Sequence, residues 1–230
     1  MKFAIISKSG DVKRIAEILA MFDIDVDSNN PDFVIAHGGD GTILKSERKY
    51  PGVPKITIRA SQGGFKCNYT EQDLEDIIIK IDNGTYKIKE ETKLETTFQG
   101  RKYLSLNEVQ IHNSSPIKAI RFSIYMDSLP LFENIVGDGA VIATPFGSSG
   151  YFSSIGGEKF SKGIGIGLNN PFNVKLKPVI IDSGFSPEIY IKILRDDGLL
   201  LFDNDENIIG IKGGDEIKVE ISKMTAKFVV

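Results

Sequence analysis

The sequence has a single cysteine, Cys67, so no internal disulfide is available and a reducing, cytoplasmic setting is expected. It has no apolar run of transmembrane length and no signal-peptide core, since the opening Met1-Lys2-Phe3-Ala4-Ile5-Ile6-Ser7-Lys8 turns polar after a few residues. Neither export by that route nor a membrane partner is expected. Basic side chains are spread along the chain rather than clustered, and 28 of them against 31 acids give a net charge of -3, so no nucleic-acid partner is expected. There is no Walker A sequence, no complete G-x-G-x-x-G opening a helix, and no Cys/His cluster with zinc spacing. These absences remove the P-loop and zinc-site classes, and no residue is assigned as a metal ligand. Internal repeats and low-complexity tracts are absent too.

What remains is an ordinary globular composition, 41% apolar and 26% charged, over 230 residues, enough for one large domain or two modest ones. The first third alternates strand and helix periods. Phe3 to Ile6 reads as a buried strand, and Asp11 to Phe22 as a helix with Val12, Ile15, Leu19 and Phe22 at helical spacing. Phe33 to Ala36 is a second strand, Ile43 to Lys49 a short helix and Lys55 to Ile58 a third strand. Thr70-Glu71-Gln72-Asp73 resembles a capping box ahead of the apolar stripe Leu74, Ile77, Ile78 and Ile81, which ends near Asn83-Gly84. A βαβαβα series favours a Rossmann-like parallel sheet with its ligand crevice at the carboxyl ends of the strands.

After Gly84 the period changes to short alternating runs: Tyr86 to Lys89, Ile120 to Met126, Glu188 to Ile193 and Glu216 to Ile221. The turn pairs Gln99-Gly100, Asp197-Gly198 and Gly213-Gly214 punctuate them. The expected architecture is an α/β amino-terminal domain over residues 1–90 and a mostly antiparallel β-sandwich over 91–230, with the final residues able to pack back on the first. Gly163-Ile164-Gly165-Ile166-Gly167 lies in the β-rich part and reads as a loop or a strand kink.

Three constellations carry chemistry. In Ala36-His37-Gly38-Gly39-Asp40-Gly41-Thr42-Ile43 an acid sits between glycines at the end of an apolar run, so backbone N–H groups can wrap a phosphate beside a carboxylate. The alternative is a simple Asp-Gly turn with Thr42 capping the next helix. In Ser105-Leu106-Asn107-Glu108-Val109-Gln110-Ile111 an amide and an acid interrupt an apolar β run, and adjacent strand residues face opposite ways. The segment Gly137-Asp138-Gly139 through Tyr151 to Ser154 combines a carboxylate, hydroxyls and an aromatic ring, the groups that hydrogen-bond a ribose or amide and stack on a base. The alternative is two β turns flanking a strand. His37 and His112 read as packed or capping groups, and Cys67 as structural.

Gly38-Gly39-Asp40-Gly41-Thr42, Gly64-Phe65, Asn107-Glu108 and Gly137-Asp138-Gly139 with Thr144-Pro145-x-Gly147-Ser148-x-x-Tyr151 resemble, in order and spacing, the motifs of the NAD kinase family. Gly156-Gly157 and Asn170-Pro171-Phe172 are similar to the next turn and β segment of that family. The resemblance implies phosphoryl transfer to the adenosine-ribose 2′-hydroxyl of NAD, with ATP or another phosphate donor and Mg²⁺ or another divalent metal. It implies Asp40 as the base, Gly38, Gly39, Gly41 and Thr42 against the phosphate donor, and Asp40, Gly41, Phe65, Asn107, Glu108, Asp138, Ser149, Gly150, Tyr151 and Ser154 around NAD. It also implies a homodimer or homotetramer. This sequence departs from the family's pattern at Gly147-Ser148-Ser149-Gly150-Tyr151, in place of Gly-Ser-Thr-Ala-Tyr, and at Arg59-Ala60-Ser61, in place of Asn-x-Gly. Val136 stands where some relatives carry Arg. A lipid kinase sharing the Gly-Gly-Asp-Gly loop, or a non-catalytic NAD(P) sensor, are the competing readings.

Overall fold

A computed structural model describes residues 1–8, 12–60, 64–182, 184 and 187–230. Asp11 and Ser61 lie outside the described residues. The chain divides into two units, one made of Met1–Glu91 with Thr225–Val230, the other of Thr92–Met224.

Unit 1 begins with β1 (Lys2–Ser7), α1 (Lys13–Met21), β2 (Asp25–Val26), β3 (Phe33–Gly38), α2 (Asp40–Lys49), β4 (Lys55–Arg59), α3 (Leu74–Asp82) and β5 (Ile88–Glu91). The closing strand Ala226–Val229 inserts between β4 and β5, giving the sheet order β2-β1-β3-β4-closing strand-β5. All neighbours run parallel except β5, which is antiparallel to the closing strand. β3 is buried along its whole length, as its unbroken Phe33-Val34-Ile35-Ala36 run requires of a strand covered on both faces. Alternation then sorts the strands. Phe3, Phe33, Ile35, Ile56 and Ile58 pack with α1 and α3 on one face, while Ala4, Ile6 and Val34 meet Tyr50 on the other. Full burial of each such side chain contributes about 1.5–3 kcal/mol.

The stripe of α3 is as expected, with Leu74, Ile77, Ile78 and Ile81 buried and Gly84 at φ +66 beyond its end. The Thr70–Asp73 capping box forms, but around a 3₁₀ turn, Glu71–Asp73, that precedes the helix. α1 starts later than expected and buries Ile18 beside Ile15 and Leu19, leaving Val12 and Phe22 as flanking residues at its two ends.

Unit 2 continues with β6 (Leu94–Phe98), β7 (Arg101–Ser105), β8 (Glu108–Asn113), β9 (Ile120–Met126), β10 (Leu129–Gly137), β11 (Gly139–Ala143), a 3₁₀ turn Phe146–Ser149 and α4 (Tyr151–Ser154). β12 (Ile164–Asn169), β13 (Val179–Ile181), β14 (Ile189–Arg195), β15 (Gly198–Phe202), β16 (Ile209–Ile211) and β17 (Glu216–Ile221) complete it. Two six-stranded antiparallel sheets, β10-β9-β14-β17-β6-β7 and β13-β12-β11-β8-β15-β16, enclose one core that includes Phe122, Ile124 and Ile191 from the first and Val109, Ile142 and Ile166 from the second. The Gln99-Gly100 turn of the β6–β7 hairpin puts both residues at positive φ, 48° and 73°, which suits the strand twist.

Two segments differ from the sequence reading. Only Gly163, at φ +87, forms a bend, and residues 164–167 are regular strand, with Gly165 and Gly167 inside β12, where Gly165 pairs on both sides and Gly167 pairs with Val141. They are glycines because a Cβ on Gly165 would lie 2.7 Å from the Phe152 and Phe160 rings, and one on Gly167 would lie 2.4 Å from Ile155. The β run expected from Ser105 to Ile111 is broken at Leu106-Asn107, where the chain leaves the first sheet for the second.

Candidate functional site

In unit 1 the glycine-rich segment is a strand-to-helix junction, not a free loop. β3 ends at Gly38, Gly39 is extended as the N-cap of α2, and its carbonyl accepts from the N–H groups of Thr42 (2.9 Å) and Ile43 (3.3 Å). Thr42 is therefore not the helix cap; it is a buried first-turn residue whose side chain lies where a Cβ on Gly38 would come, 2.2 Å from Oγ1. Asp40 is the first residue of the helix. A carboxylate there is favoured by the helix dipole, and the exposed N–H groups of the same turn suit an anion.

The junction stands at the carboxyl edge of the sheet, where Gly38 pairs with Arg59 and Ser7 with His37. This is also where the strand order reverses, between β1 and β3, the place at which open parallel sheets take ligands. Residues 64–67 pack against it. The Lys66 N–H donates to Asp40 Oδ1 at 3.0 Å, the Cys67 thiol lies 3.8 Å from the Gly38 carbonyl, and Gly64 is packed too tightly against that carbonyl for an easy Cβ. Phe65 projects outward, 84% exposed. Burial pushes the Cys67 thiol pKa up, the charge of Asp40 adds to this and Arg59 opposes it, so Cys67 is a neutral packing group. His37 is buried between the Ser7 hydroxyl (Nδ1, 3.2 Å) and Glu71 Oε1 (Nε2, 2.7 Å), which ties the end of β3 to the turn before α3. Arg59 is exposed.

In unit 2 the residues cluster at one end of the second sheet. Gly147 and Thr144 brace the Leu106–Glu108 bend: Thr144 Oγ1 donates to the Leu106 carbonyl (2.6 Å), the Thr144 N–H donates to the Asn107 carbonyl (2.9 Å), and the Gly147 N–H donates to Thr144 Oγ1 (3.0 Å). A Cβ on Gly147 would fall 2.1 Å from the Asn107 carbonyl oxygen, so only glycine fits. A Cβ on Gly150 would lie 3.7 Å from Glu108 Oε2 and 3.9 Å from Asn107 Nδ2, placing both polar ends beside the turn that starts α4. Glu108 is buried and hydrogen-bonded by Gln110 Nε2 at 3.4 Å. Ser149 and Ser154 lie in this turn with Tyr151, which is 57% exposed, and Phe152 anchors the turn into the sheet. Asn107, Glu108, Ser149, Gly150, Tyr151 and Ser154 are thus brought together.

Asp138 is not among them. It precedes β11 while Thr144 follows it, and the register Ala143↔Glu108 and Gly139↔His112 puts Asp138 at the opposite end. Five residues of strand separate the two ends, about 17 Å. There Asp138 accepts from Asn113 Nδ2 (3.2 Å) and Asn170 Nδ2 (3.0 Å), and the next residue, Gly139, has φ +149 with no room for a Cβ against the Ile111 carbonyl. His112 lies at this end, its Nδ1 3.1 Å from the Asn113 carbonyl.

One contributor was missed from sequence. The Asp203 carboxylate accepts three backbone N–H groups, from Leu106, Asn107 and Glu108. Nothing local marks it, because its partners lie almost a hundred residues earlier in the chain. Among the described residues no group of three or more His, Cys, Asp or Glu side chains is arranged to hold a metal ion, and no helix is long and apolar enough to cross a membrane.

Comparison with known proteins gives these arrangements a family. Residues 106–230 match the ATP-NAD kinase C-terminal domain. An NAD kinase of Thermoplasma volcanium is 32% identical over 209 residues, which cover 89% of this chain and 76% of the relative. A crystal structure of an NAD kinase from Archaeoglobus fulgidus in complex with ATP has the same fold, with TM-score 0.85 at 24% identity over 100% of this chain and 94% of that one. A yeast NADH kinase complexed with NADH has it too, with TM-score 0.86 at 20% identity over 100% of this chain and 83% of that one. The chain belongs to the NAD kinase family.

Proposed function

We propose that the protein phosphorylates the adenosine-ribose 2′-hydroxyl of NAD with ATP to give NADP and ADP. The observation that carries this reading is the Asp40 carboxylate, set at the first turn of α2 between glycines and pinned by the Lys66 N–H. In-line phosphoryl transfer asks mainly for positioning and charge neutralisation. Asp40 accepts the proton of the 2′-hydroxyl as that oxygen bonds to the γ-phosphorus, while the bond from phosphorus to the bridging oxygen breaks and ADP leaves. The Gly39–Gly41 start of the helix, with Thr42 behind it, holds donor phosphate oxygens. Asn107, Glu108, Ser149, Gly150, Tyr151 and Ser154 hold the dinucleotide, the amide and carboxylate by hydrogen bonds and the exposed ring of Tyr151 by stacking, with Phe65 as a second ring. A divalent cation such as Mg²⁺, arriving with the ATP phosphates, would supply neutralisation of the transferring group.

The functional form is a homo-oligomer. Asp138 stands about 17 Å along β11 from Glu108, at the opposite end of the strand, and a second copy can bring its own Asp138 to the dinucleotide held by Asn107 and Glu108. The lone Cys67 accords with a reducing, cytoplasmic setting. The test is incubation of purified protein with ATP, Mg²⁺ and NAD, with NADP read out by an NADP-specific dehydrogenase and mass measured by light scattering. NADP formation by an oligomer is expected. NADP binding with no ADP release, phosphorylation of diacylglycerol instead of NAD, or activity from a monomer would each overturn the corresponding part.

A further inference from the structure

The Leu106–Glu108 bend is a place where the backbone needs help. Between the end of β7 and the start of β8 the chain changes sheets, so the ladder that would satisfy its N–H groups is interrupted. Asp203 fills that gap. Its Oδ2 accepts from the Leu106 N–H at 2.9 Å, and its Oδ1 accepts from the Asn107 N–H at 2.7 Å and the Glu108 N–H at 3.2 Å. Three consecutive N–H groups converging on one anion form a nest, a geometry that fixes the φ and ψ of the residues contributing to it. Asp203 is itself held in place, at φ 48, with its own N–H donating to the Glu108 carbonyl at 3.0 Å. The opposite side of the bend is closed by Thr144 and Gly147, so the peptide units of Asn107 and Glu108 are gripped from two directions.

We propose that Asp203 is a positioning residue for the dinucleotide, fixing the directions in which the Asn107 and Glu108 side chains leave the backbone without itself touching NAD. The proposal rests on the reading of unit 2 as the holder of NAD. Two features separate it from simple structural support. The N–H groups it takes belong to the very residues assigned to bind NAD, and Asp203 is partly exposed at the end of β15 rather than part of the core. Its loss should therefore fall on recognition of one substrate more than on folding. A neutral amide at this position has one acceptor oxygen, and its NH₂ faces at least one of the three donors, so Asp203→Asn retains part of the clamp and Asp203→Ala none.

The experiment measures kcat, the KM for NAD and the KM for ATP separately in the full chain, for the wild type, Asp203→Asn and Asp203→Ala, together with NAD binding by calorimetry and thermal unfolding. A rise of about tenfold or more in the KM for NAD is expected for Asp203→Ala, with the KM for ATP changed by less than about twofold and Asp203→Asn in between. The calorimetric Kd for NAD should weaken in parallel. If Asp203→Ala fails to fold, Asp203→Asn decides alone. A folded variant with wild-type KM for NAD overturns the proposal, as does an equal loss toward NAD and ATP accompanied by a lower Tm. A wild-type protein that neither binds NAD nor makes NADP instead overturns the reading on which the proposal rests.

Discussion

Replacing Gly147 by alanine tests the dinucleotide side of the mechanism through a single methyl group. Its Cβ would lie 2.1 Å from the Asn107 carbonyl oxygen, 2.5 Å from the carbonyl carbon and 2.7 Å from Cα, all backbone atoms that no rotamer change can move away. Non-bonded heavy atoms are at their optimal separation at about 3.5–4.0 Å, so either the Asn107 peptide or the 146–149 turn must shift by roughly 1 Å or more. Both are held, the first by Asp203 and Thr144, the second by the Gly147 N–H on Thr144 Oγ1. Overpacking of this kind costs about 1–3 kcal/mol of stability. A misplacement of roughly 1 Å in a substrate-positioning group costs on the order of 10²-fold in rate, about 2.7 kcal/mol of transition-state stabilisation. The expected outcome is a folded protein with kcat/KM for NAD lowered on the order of a hundredfold. The control is Gly210→Ala in β16, where a Cβ meets nothing within 4 Å, and which should behave as wild type. The assay is steady-state NADP formation with thermal unfolding in parallel. If Gly147→Ala folds and retains wild-type kcat/KM, the geometry of the Asn107–Glu108 bend does not govern NAD recognition.

Two further outcomes concern unit 1. Glu47 and Lys55 form a fully buried ion pair beneath α2, in which Lys55 also donates to the Tyr50 carbonyl (2.6 Å) and Glu47 accepts from the Gly52 N–H (3.1 Å). Glu47→Leu or Lys55→Met alone should destabilise by about 3–5 kcal/mol in denaturant unfolding, and the double variant should recover most of that; additive single effects would count against a paired burial. The Thr70 hydroxyl, and then its N–H, hold the Asp73 carboxyl below the usual carboxylate range. A depressed carboxylate contributes stability that is present above its unfolded pKa and lost as pH falls through the folded one. Thr70→Ala should therefore raise the Asp73 titration midpoint, seen by NMR, and the stability gap to wild type should be present at neutral pH and close in acid. An unmoved midpoint would refute the assignment of that hydrogen bond.

Much of the fold is written locally. α3 announces itself by its capping box and apolar stripe, and β3 by an unbroken apolar run, because in both the burial partner is implied by the period itself. The start of α2 at Asp40 is hidden because Gly39, its N-cap, has no side chain to signal a cap and Gly-Asp-Gly reads equally as a turn. Gly165 and Gly167 mimic a loop because the side chains that exclude their Cβ atoms belong to other segments of the chain. The bend at Leu106-Asn107 is invisible for the same reason, since Asp203, which stabilises it, is 95 to 97 residues away. Motif order identifies the residues of the site, but the separation of Asp138 from Glu108 follows only from the pairing of β8 with β11.

The most direct test of the central claim is a comparison of wild type with Asp40→Asn in single-turnover NADP formation at saturating NAD and ATP with Mg²⁺. Asparagine keeps the shape and can still accept the Lys66 N–H, but it cannot take the proton of the 2′-hydroxyl. A loss of roughly 10²–10⁴ in the chemical step, with NAD and ATP binding retained, is the predicted result. NADP formation by Asp40→Asn at the wild-type rate would contradict it.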